Sequence, residues 1–368
     1  MTQLVYACIS GHGYGHGARS AAVLSALMQL KPSWRLVLST PLDARFLDLT
    51  FAGVVHERRP CRWDVGMVQA DALGVDPQAT LDALERLDLS LPDQLRHEAA
   101  WLAAQDCPVL IYGDIPASAA LLASRVRAPL VWLASFGWDA IYRPLGGAFL
   151  TWADRCLELY RQADLLLACP LALPMPWDLP AVPLGLTCAE PRLKPSELAA
   201  RLALPAERDR CVLLCFGGLG LRVEAALLER WPEHVFIGVD PSLAELRNGR
   251  CLPAGCRPLD LMPLVGRVIT KPGYSTFCEA FSQGVGIHLI RRQGFAEAPM
   301  LERALQDHGW HRLLSADQWH RADWELDQPL LPPQRGTLRR DGARTAAEAI
   351  VALIESRDPG PTSAQSSR

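Results

Sequence analysis

Two histidines, His12 and His16, stand in a loop in which every second residue from 11 to 17 is glycine. Imidazole exchanges protons near neutral pH, and a glycine-rich chain can turn sharply and approach a ligand closely. A helical pattern follows the loop, so a helix N-terminus adds free N–H groups and the positive end of a dipole. We therefore predict a loop that binds substrate and transfers a proton. The expected substrate contacts are Gly11, His12, Gly13, Gly15 and Arg19.

Two other interpretations of this loop stay open. Gly13, Gly15 and Ala18 satisfy the G-x-G-x-x-G/A pattern of dinucleotide-binding folds, and Asp43 follows the second predicted strand. That pattern does not require the two histidines of this loop. The loop could also be only a tight turn, in which both histidines are structural.

Two aspartates follow the apolar runs that predict the next strands of the same sheet. Asp114 follows the run at residues 109–112, and Asp139 follows the run at residues 130–134. The carboxyl ends of parallel strands meet at one edge of a sheet, so we expect both side chains, and Trp138 beside them, at the site. A carboxylate next to a histidine would fix its tautomer and raise its basicity. Alternatively, each aspartate caps the helix beside it.

A second glycine turn, Gly217 and Gly218, follows the apolar run at residues 211–216. It connects a predicted strand to a predicted helix. Such a turn suits backbone contact with a diphosphate, because the helix N-terminus presents free N–H groups. We predict that both glycines contribute to a donor site in the second half of the chain.

The strongest signal in the second half is the segment at residues 269–280, which reads Ile-Thr-Lys-Pro-Gly-Tyr-Ser-Thr-Phe-Cys-Glu-Ala. Glycine permits a sharp turn, hydroxyls donate to a phosphate, and a glutamate one turn later can accept hydrogen bonds from two ribose hydroxyls. A simple capping box is the alternative interpretation. The predicted donor-binding residues are Lys271, Gly273, Ser275, Thr276 and Glu279.

Two arginines and a glutamate follow the next predicted strand, at residues 286–290. Arg291 and Arg292 could clamp a phosphate through bidentate contacts. Alternatively, they form a solvated strand end. Glu297 lies in the same connection and is a further predicted donor-binding residue.

Apolar runs alternate with helical patterns along most of the 368 residues, which predicts parallel sheets covered on both faces, an α/β doubly wound fold. Between residues 169 and 195 seven prolines exclude a long helix, and the alternation then restarts. We predict a first domain at residues 1–172, a second at 173–340, a helix at 341–356 that can return to the first domain, and a disordered tail at 357–368.

The composition argues against several classes of protein. A net charge of −3 gives no basic surface for nucleic acid, and no run of about 18 apolar residues predicts a membrane span, although peripheral membrane contact stays open. We see no signal peptide and expect a cytoplasmic protein. Eleven scattered cysteines predict buried thiols, and the sequence contains no Asp-x-Asp, so we predict no metal site and no cofactor.

These motifs resemble those of known glycosyltransferase families. The loop at residues 11–19, GHGYGHGAR, and the segments at 112–116 and 133–142 resemble the glycosyltransferase-like half of plant and cyanobacterial L-arabinokinases. The loop also resembles that of the family containing the peptidoglycan N-acetylglucosaminyltransferase. The segment at 269–280 resembles the donor signature of that family and of processive and galactosyl diacylglycerol glycosyltransferases. The resemblance covers roughly residues 1–310.

The resemblance implies a GT-B fold, in which two Rossmann-like domains face each other across a cleft. In related enzymes the histidine that closes the glycine loop lies at the acceptor. By position this is His16, with Asp114 or Asp139 as its orienting carboxylate. Glu297 matches the sugar-contacting loop, where Phe-Ala-Glu-Ala-Pro replaces the usual Asp-x-Gln. This departure leaves the identity of the sugar open.

Together these features predict a metal-independent, inverting glycosyltransferase. It would transfer a sugar from a nucleoside-diphosphate sugar, expected to be UDP-linked, to an unidentified hydroxyl acceptor. Two alternatives stay open: a noncatalytic module that binds nucleotide sugars, and a sugar-nucleotide epimerase of the same fold. Analysis of the products would separate the three.

Overall fold

The computed structural model describes residues 2–69, 74–217, 223–292 and 295–357. In these residues the strands form two parallel sheets, of seven and six strands. The first sheet contains β1 (Leu4–Ile9), β2 (Arg35–Ser39), β3 (Glu57–Arg59), β4 (Val109–Asp114), β5 (Leu130–Ala134), β6 (Leu165–Ala168) and β7 (Ala181–Pro183). The second contains β8 (Cys211–Cys215), β9 (Val235–Gly238), β10 (Gly249–Cys251), β11 (Arg267–Thr270), β12 (Gly286–Ile290) and β13 (His311–Leu314).

Helices cover these sheets and alternate with the strands along the chain. The first sheet and its helices, α1 (Tyr14–Leu30), α2 (Ala44–Thr50), α3 (Pro77–Ala103), α4 (Ala119–Val126), α5 (Trp138–Tyr142) and α6 (Phe149–Tyr160), form what we call the first lobe. The second sheet and α7 (Pro195–Leu202), α8 (Ala225–Glu229), α9 (Pro258–Leu261), α10 (Tyr274–Gln283), α11 (Ala298–His308) and α12 (Ala316–His320) form the second lobe. A last helix, α13 (Gly342–Arg357), completes the described chain.

The strand order explains how distant residues reach one site. The first sheet runs β3-β2-β1-β4-β5-β6-β7 and the second runs β10-β9-β8-β11-β12-β13, so β1 pairs with β4 and β8 pairs with β11. All six residues of β1 are buried, as expected for a parallel strand covered on both faces. In the register of this pair Ile9 lies opposite Asp114, which places Asp114 next to the glycine loop that follows β1.

Several details differ from the sequence-based expectations. The sequence patterns do not predict the edge strands β3, β7, β10 and β13, which are short and lack a continuous apolar run. Because β7 pairs with β6, the first sheet extends to Pro183, beyond the predicted domain boundary at residue 172. An edge position tolerates proline, which cannot donate to a ladder. The helix predicted from residue 115 begins at Ala119, and Asp114 therefore does not cap it.

Two helices from later in the chain pack against α1 of the first lobe. Helix α13 packs against α1 of the first lobe and buries Ala346, Ala347 and Ile350. Helix α10 of the second lobe also packs against α1, and Tyr274 and Cys278 join the apolar core of the first lobe. Of the predicted tail, only Arg357 is described, and it ends α13. In the described ranges no helix combines the length and apolar character needed to cross a membrane.

Candidate active site

The cleft between the lobes holds a cavity of about 610 Å³. It lies at the carboxyl ends of the strands, where ligands bind in doubly wound sheets. On the first lobe it is lined by the glycine loop, including Gly11, His12, Gly13, Gly15 and His16, and by Arg19. On the second lobe it is lined by residues that follow β8, β11 and β12, including Gly217, Lys271, Gly273, Ser275, Thr276 and Glu297. The fold thus brings most of the predicted site residues to one cavity.

His16 and Asp114 form a buried pair at the first-lobe wall of this cavity. The His16 Nδ1 lies 2.8 Å from the Asp114 Oδ1, and the two side chains are 8% and 0% exposed. His16 stands in the first turn of α1, while Asp114 ends β4. The pair depends on the strand register, since β1 and β4 end side by side.

Arg19 and Ser20, one turn along α1 from His16, complete the surroundings of Asp114. The Arg19 Nε donates to both carboxylate oxygens, at 3.0 and 2.8 Å, and its Nη2 also donates to Oδ1. The Ser20 hydroxyl donates to Oδ2 at 2.7 Å. Burial by itself raises the pKa of Asp114, but the attraction of Arg19 and His16 outweighs it, and the pKa is lowered. Asp114 is therefore an ionised acceptor.

This arrangement assigns the tautomer of His16. An ionised carboxylate can only accept hydrogen bonds, so the contact with Asp114 requires a proton on Nδ1. The Arg19 Nη2, which lies 3.2 Å from Nδ1, therefore does not donate to it. The Nε2 then carries the lone pair and can take a proton, which is the usual geometry of a base held by an orienting carboxylate.

His12, on the same loop, has different surroundings. The Met67 amide N–H donates to its Nδ1 at 3.3 Å. The ring stands edge-on to Trp138, with 5.2 Å between centroids, and is stacked with Phe295 of the second lobe at 6.4 Å. Burial, helped by His16, Arg292 and Lys271, lowers the pKa of His12 to about 3. His12 is a neutral imidazole in this cleft.

The structure places the other predicted carboxylate, Asp139, away from His16. The Trp177 indole N–H donates to its Oδ2 at 3.4 Å, and burial raises its pKa. Asp139 therefore does not orient the histidine. Trp138, a predicted substrate contact, is 1% exposed and donates through Nε1 to Asp64 at 2.9 Å. It lies behind His12 and packs against it instead of lining the cavity.

Helix α10 presents its N-terminus to the cleft from the second lobe. Its N-cap residue, Gly273, offers no side-chain cap, so the first N–H groups of the helix are not taken by a capping box. The Ser275 hydroxyl donates to the Gly15 carbonyl across the cleft at 2.8 Å. Gly217, with φ of 78°, adopts a backbone conformation that favours glycine. The predicted Gly218 lies outside the described residues.

A second cavity, of about 670 Å³, adjoins the first; most of its lining belongs to the second lobe, and Phe46, Leu49 and Thr50 of the first lobe also line it. The two cavities share Gly15, Gly217, Ser275 and Thr276. Its walls are mostly apolar, and they include Val239, Leu243, Leu252 and Leu259. Glu279 also lines it, and burial raises the pKa of this half-buried carboxyl to about 7. A mostly apolar slot that carries the carboxyls of Glu279 and Asp240, next to a helix N-terminus, suits a nucleoside joined to phosphate.

The structure separates the two arginines that follow β12. Arg291 pairs with Glu302, at 2.6 Å from Nη2 to Oε1, and its side chain is 54% exposed. It does not line the cleft, so the expectation of a donor contact fails for Arg291. Successive residues of an extended chain point to opposite sides, and Arg292 accordingly lines the cavity with Lys271. Burial and the nearby Arg292 lower the pKa of Lys271.

Glu297 lines the cavity on the second-lobe side and is 5% exposed. Its Oε1 accepts no hydrogen bond from the residues that the structure describes. Burial raises the pKa of Glu297 to about 7, although the charges of Arg19 and Arg292 oppose this shift. A buried carboxyl with an unsatisfied oxygen marks this part of the cavity wall as a candidate functional position.

Sequence reasoning missed several residues around the site. Asp64 is buried, accepts from Trp138 and has a pKa raised by burial, but it lies in an irregular segment without a motif. Met67 and Phe295 line the cavity and also belong to irregular segments. Ser20 could have been found, because it lies four residues after His16 and so on the same helix face. Across the described ranges no three His, Cys, Asp or Glu side chains gather as a metal site requires.

Comparisons with known proteins bear on this site. No family model matches the chain. The chain is similar to an L-arabinokinase of Arabidopsis thaliana, with 26% identity over 312 residues, which is 81% of this chain and 29% of that protein. The chain thus spans less than a third of the length of that relative.

Solved structures resemble the whole chain. UGT89C1 of Arabidopsis thaliana, complexed with UDP-L-rhamnose, aligns with a TM-score of 0.62 at 13% identity, covering 96% of this chain and 95% of that one. UGT71G1 of Medicago truncatula, complexed with UDP-glucose, aligns with a TM-score of 0.60 at 11% identity, covering 96% and 98%. These matches confirm the predicted GT-B fold. They do not test the resemblance to the peptidoglycan N-acetylglucosaminyltransferase family, which stays a prediction.

Proposed function

We propose that this protein is a glycosyltransferase that moves a sugar from a nucleoside-diphosphate sugar, expected to be UDP-linked, to a hydroxyl acceptor. The observation that carries the proposal is the His16–Asp114 pair, with 2.8 Å between Nδ1 and Oδ1, on the wall opposite the uncapped N-terminus of α10. A base and an anion-binding helix end face each other across one cavity. The structures with the same fold hold UDP-glucose and UDP-L-rhamnose, which supports this donor class.

We place the donor on the second lobe. The nucleoside would occupy the apolar cavity, with its ribose hydroxyls donating to Glu279. The diphosphate would lie where the two cavities meet, at Ser275, Thr276 and the N-terminus of α10. Lys271 and Arg292, which line the cleft close by, would balance the charge of the leaving diphosphate. No metal ion is needed for this step, so we propose a metal-independent reaction.

The first lobe would supply the base. The acceptor hydroxyl gives its proton to the Nε2 of His16, while Asp114 holds the Nδ1 proton and stabilises the imidazolium that forms. The acceptor oxygen bonds to the anomeric carbon, and the bond from that carbon to the diphosphate oxygen breaks. Because the base and the diphosphate lie on opposite walls, attack comes from the face opposite the leaving group. We therefore propose inversion at the anomeric carbon.

Product analysis tests the proposed function. The purified protein is incubated with UDP-glucose, UDP-galactose or UDP-N-acetylglucosamine and a mixture of alcohol and phenol acceptors, and free UDP and new glycosides are measured by mass spectrometry. We expect both products together. An altered sugar nucleotide without UDP release would indicate an epimerase. Binding without any product, in wild type and His16→Ala alike, would indicate a noncatalytic binding module.

A further inference from the structure

His12 has a fixed tautomer because of the backbone beside it. The Met67 amide N–H donates to Nδ1 at 3.3 Å, so Nδ1 carries a lone pair and the ring proton of the neutral imidazole sits on Nε2. Gly66 makes this approach possible. A Cβ at that position would collide with the His12 ring, and the φ of 71° at Gly66 also favours glycine. The Tyr142 hydroxyl donates to the Gly66 carbonyl at 3.0 Å and holds the segment in place.

His12 lines the cleft cavity, and within the described ranges no residue accepts a hydrogen bond from its Nε2–H. That N–H group can therefore serve a ligand. Arg292 and Lys271 of the second lobe lie close enough to lower the pKa of His12, as does His16 of the same loop. With burial they hold its pKa near 3, so it keeps one N–H and no charge throughout the physiological range. A neutral donor suits an uncharged oxygen more than a phosphate.

The position of His12 favours the sugar of the donor over the acceptor. Its ring is stacked with Phe295, at 6.4 Å between centroids and 15° between planes. Phe295 stands two residues before Glu297, which also lines the cavity. A neutral N–H donor and a carboxyl acceptor therefore flank one space, from opposite lobes. Hydroxyls, which both donate and accept, match such a pair.

We propose that His12 is a sugar-binding residue, whose Nε2–H donates to a hydroxyl oxygen of the sugar that is to be transferred. The proposal rests on the proposed function, because it requires a nucleotide sugar in the cleft. It assigns different tasks to the two histidines of the glycine loop. His16 handles the proton, and His12 recognises the sugar without titrating.

The test compares the affinity for UDP with the affinity for a UDP-sugar by calorimetry, so that it needs no turnover. The probe is whichever of UDP-glucose, UDP-galactose and UDP-xylose the wild type binds most tightly. His12→Phe keeps the stacking with Phe295 and loses the N–H. We expect it to weaken binding of the UDP-sugar roughly three- to tenfold, as for one neutral hydrogen bond, and to leave binding of UDP unchanged. His12→Gln, which restores an N–H donor, should recover part of that loss.

Two further variants keep the test decisive. Gly66→Ala displaces the His12 ring without changing its chemistry and should weaken the UDP-sugar in the same selective way. His97→Phe, on the exposed face of α3, is the matched control and should change neither affinity. Equal weakening of UDP and UDP-sugar, or no change in a stably folded His12→Phe, would overturn the proposal. So would a change confined to the KM of the acceptor. A wild type that binds the UDP-sugar but transfers nothing would refute the proposed function alone.

Discussion

His16 and Asp114 stand 98 positions apart in the sequence, and their side chains meet at 2.8 Å in the cleft. The carboxylate also accepts from Arg19 and Ser20, so Asp114 is itself held in place by two neighbours. A carboxylate held in this way fixes the orientation of the imidazole ring. Proton transfer to the ring depends on that orientation. The first two predictions concern this pair.

Replacing His16 with alanine should reduce turnover without reducing donor affinity. A general base acts only as the acceptor loses its proton, and such catalysis is typically worth about 10²–10⁴-fold in rate. We therefore expect kcat to fall by roughly that factor, while the Kd for UDP stays within about twofold. Steady-state kinetics and calorimetry on the same preparation provide the check. Full activity in a stably folded variant would remove His16 from the role of base.

Asp114→Asn and Asp139→Asn form a matched pair of variants. Asp114→Asn leaves the buried Arg19 without its counter-charge, and breaking a buried ion pair typically costs about 3–5 kcal/mol of stability. It also allows the tautomer of His16 in which Nε2, and not Nδ1, carries the proton. We expect a large loss of activity and a lower melting temperature. Asp139→Asn, which touches Trp177 and not His16, should retain most of the activity. The reverse ranking would show that Asp139 orients the base.

The two arginines after β12 allow an equally direct comparison. Arg292 lines the cleft, whereas Arg291 pairs with Glu302 at the surface. Arg292→Ala should weaken binding of a UDP-sugar by about 1.5–3 kcal/mol, the usual contribution of a hydrogen bond to a charged group. Arg291→Ala should change it by less than about 0.5 kcal/mol, as expected for a surface residue. If the two variants lose equal affinity, the diphosphate does not lie near Arg292.

The sequence predicts the interior strands of the fold better than its edges. Strands β5 and β12 have the predicted bounds, because both of their faces are buried and most of their residues are apolar. The edge strand β3 reads Glu-Arg-Arg, and β7 contains a proline, so neither carries that pattern. Their pairing depends on neighbours that are distant in the chain.

The sequence predicts which segments form the site, but not which of their side chains face the cavity. Asp114 ends β4 and Asp139 follows β5, and only the pairing of β1 with β4 brings one of them to His16. Arg291 and Arg292 have the same chemistry, and the direction of the chain at the end of β12 decides which one faces the cleft. Met67 and Phe295 act through a backbone amide and a ring face, for which no sequence motif exists.

Donor binding should persist when divalent metal is removed. The proposed charge balance comes from Lys271, Arg292 and the N-terminus of α10, and the sequence has no Asp-x-Asp to hold a metal at the diphosphate. We expect the rise in melting temperature caused by UDP to be the same with magnesium and with excess chelator. Glu279→Ala should reduce that rise under both conditions, because the ribose loses its acceptor. If chelator alone abolishes the rise, the reaction depends on a metal.

Glu297 should make the stability of the protein fall as pH rises. Burial raises its pKa in the folded state to about 7, above the ordinary value near 4.3 for the unfolded chain. Between these two values the folded state keeps a proton that the unfolded state has released, so the free energy of unfolding decreases with pH across this window and levels off above it.

Glu297→Gln removes this titration and should therefore be more stable, relative to wild type, at pH 8 than at pH 5. Chemical denaturation at both pH values measures the difference, and Glu85→Gln, on the exposed face of α3, is the control that should show none. Adding a saturating UDP-sugar gives a second check. A hydroxyl that donates to the Glu297 carboxylate would favour its ionised form, so the ligand should flatten the pH dependence. A pH dependence of wild type that is unchanged in Glu297→Gln would show that another carboxyl, such as Glu279, is responsible.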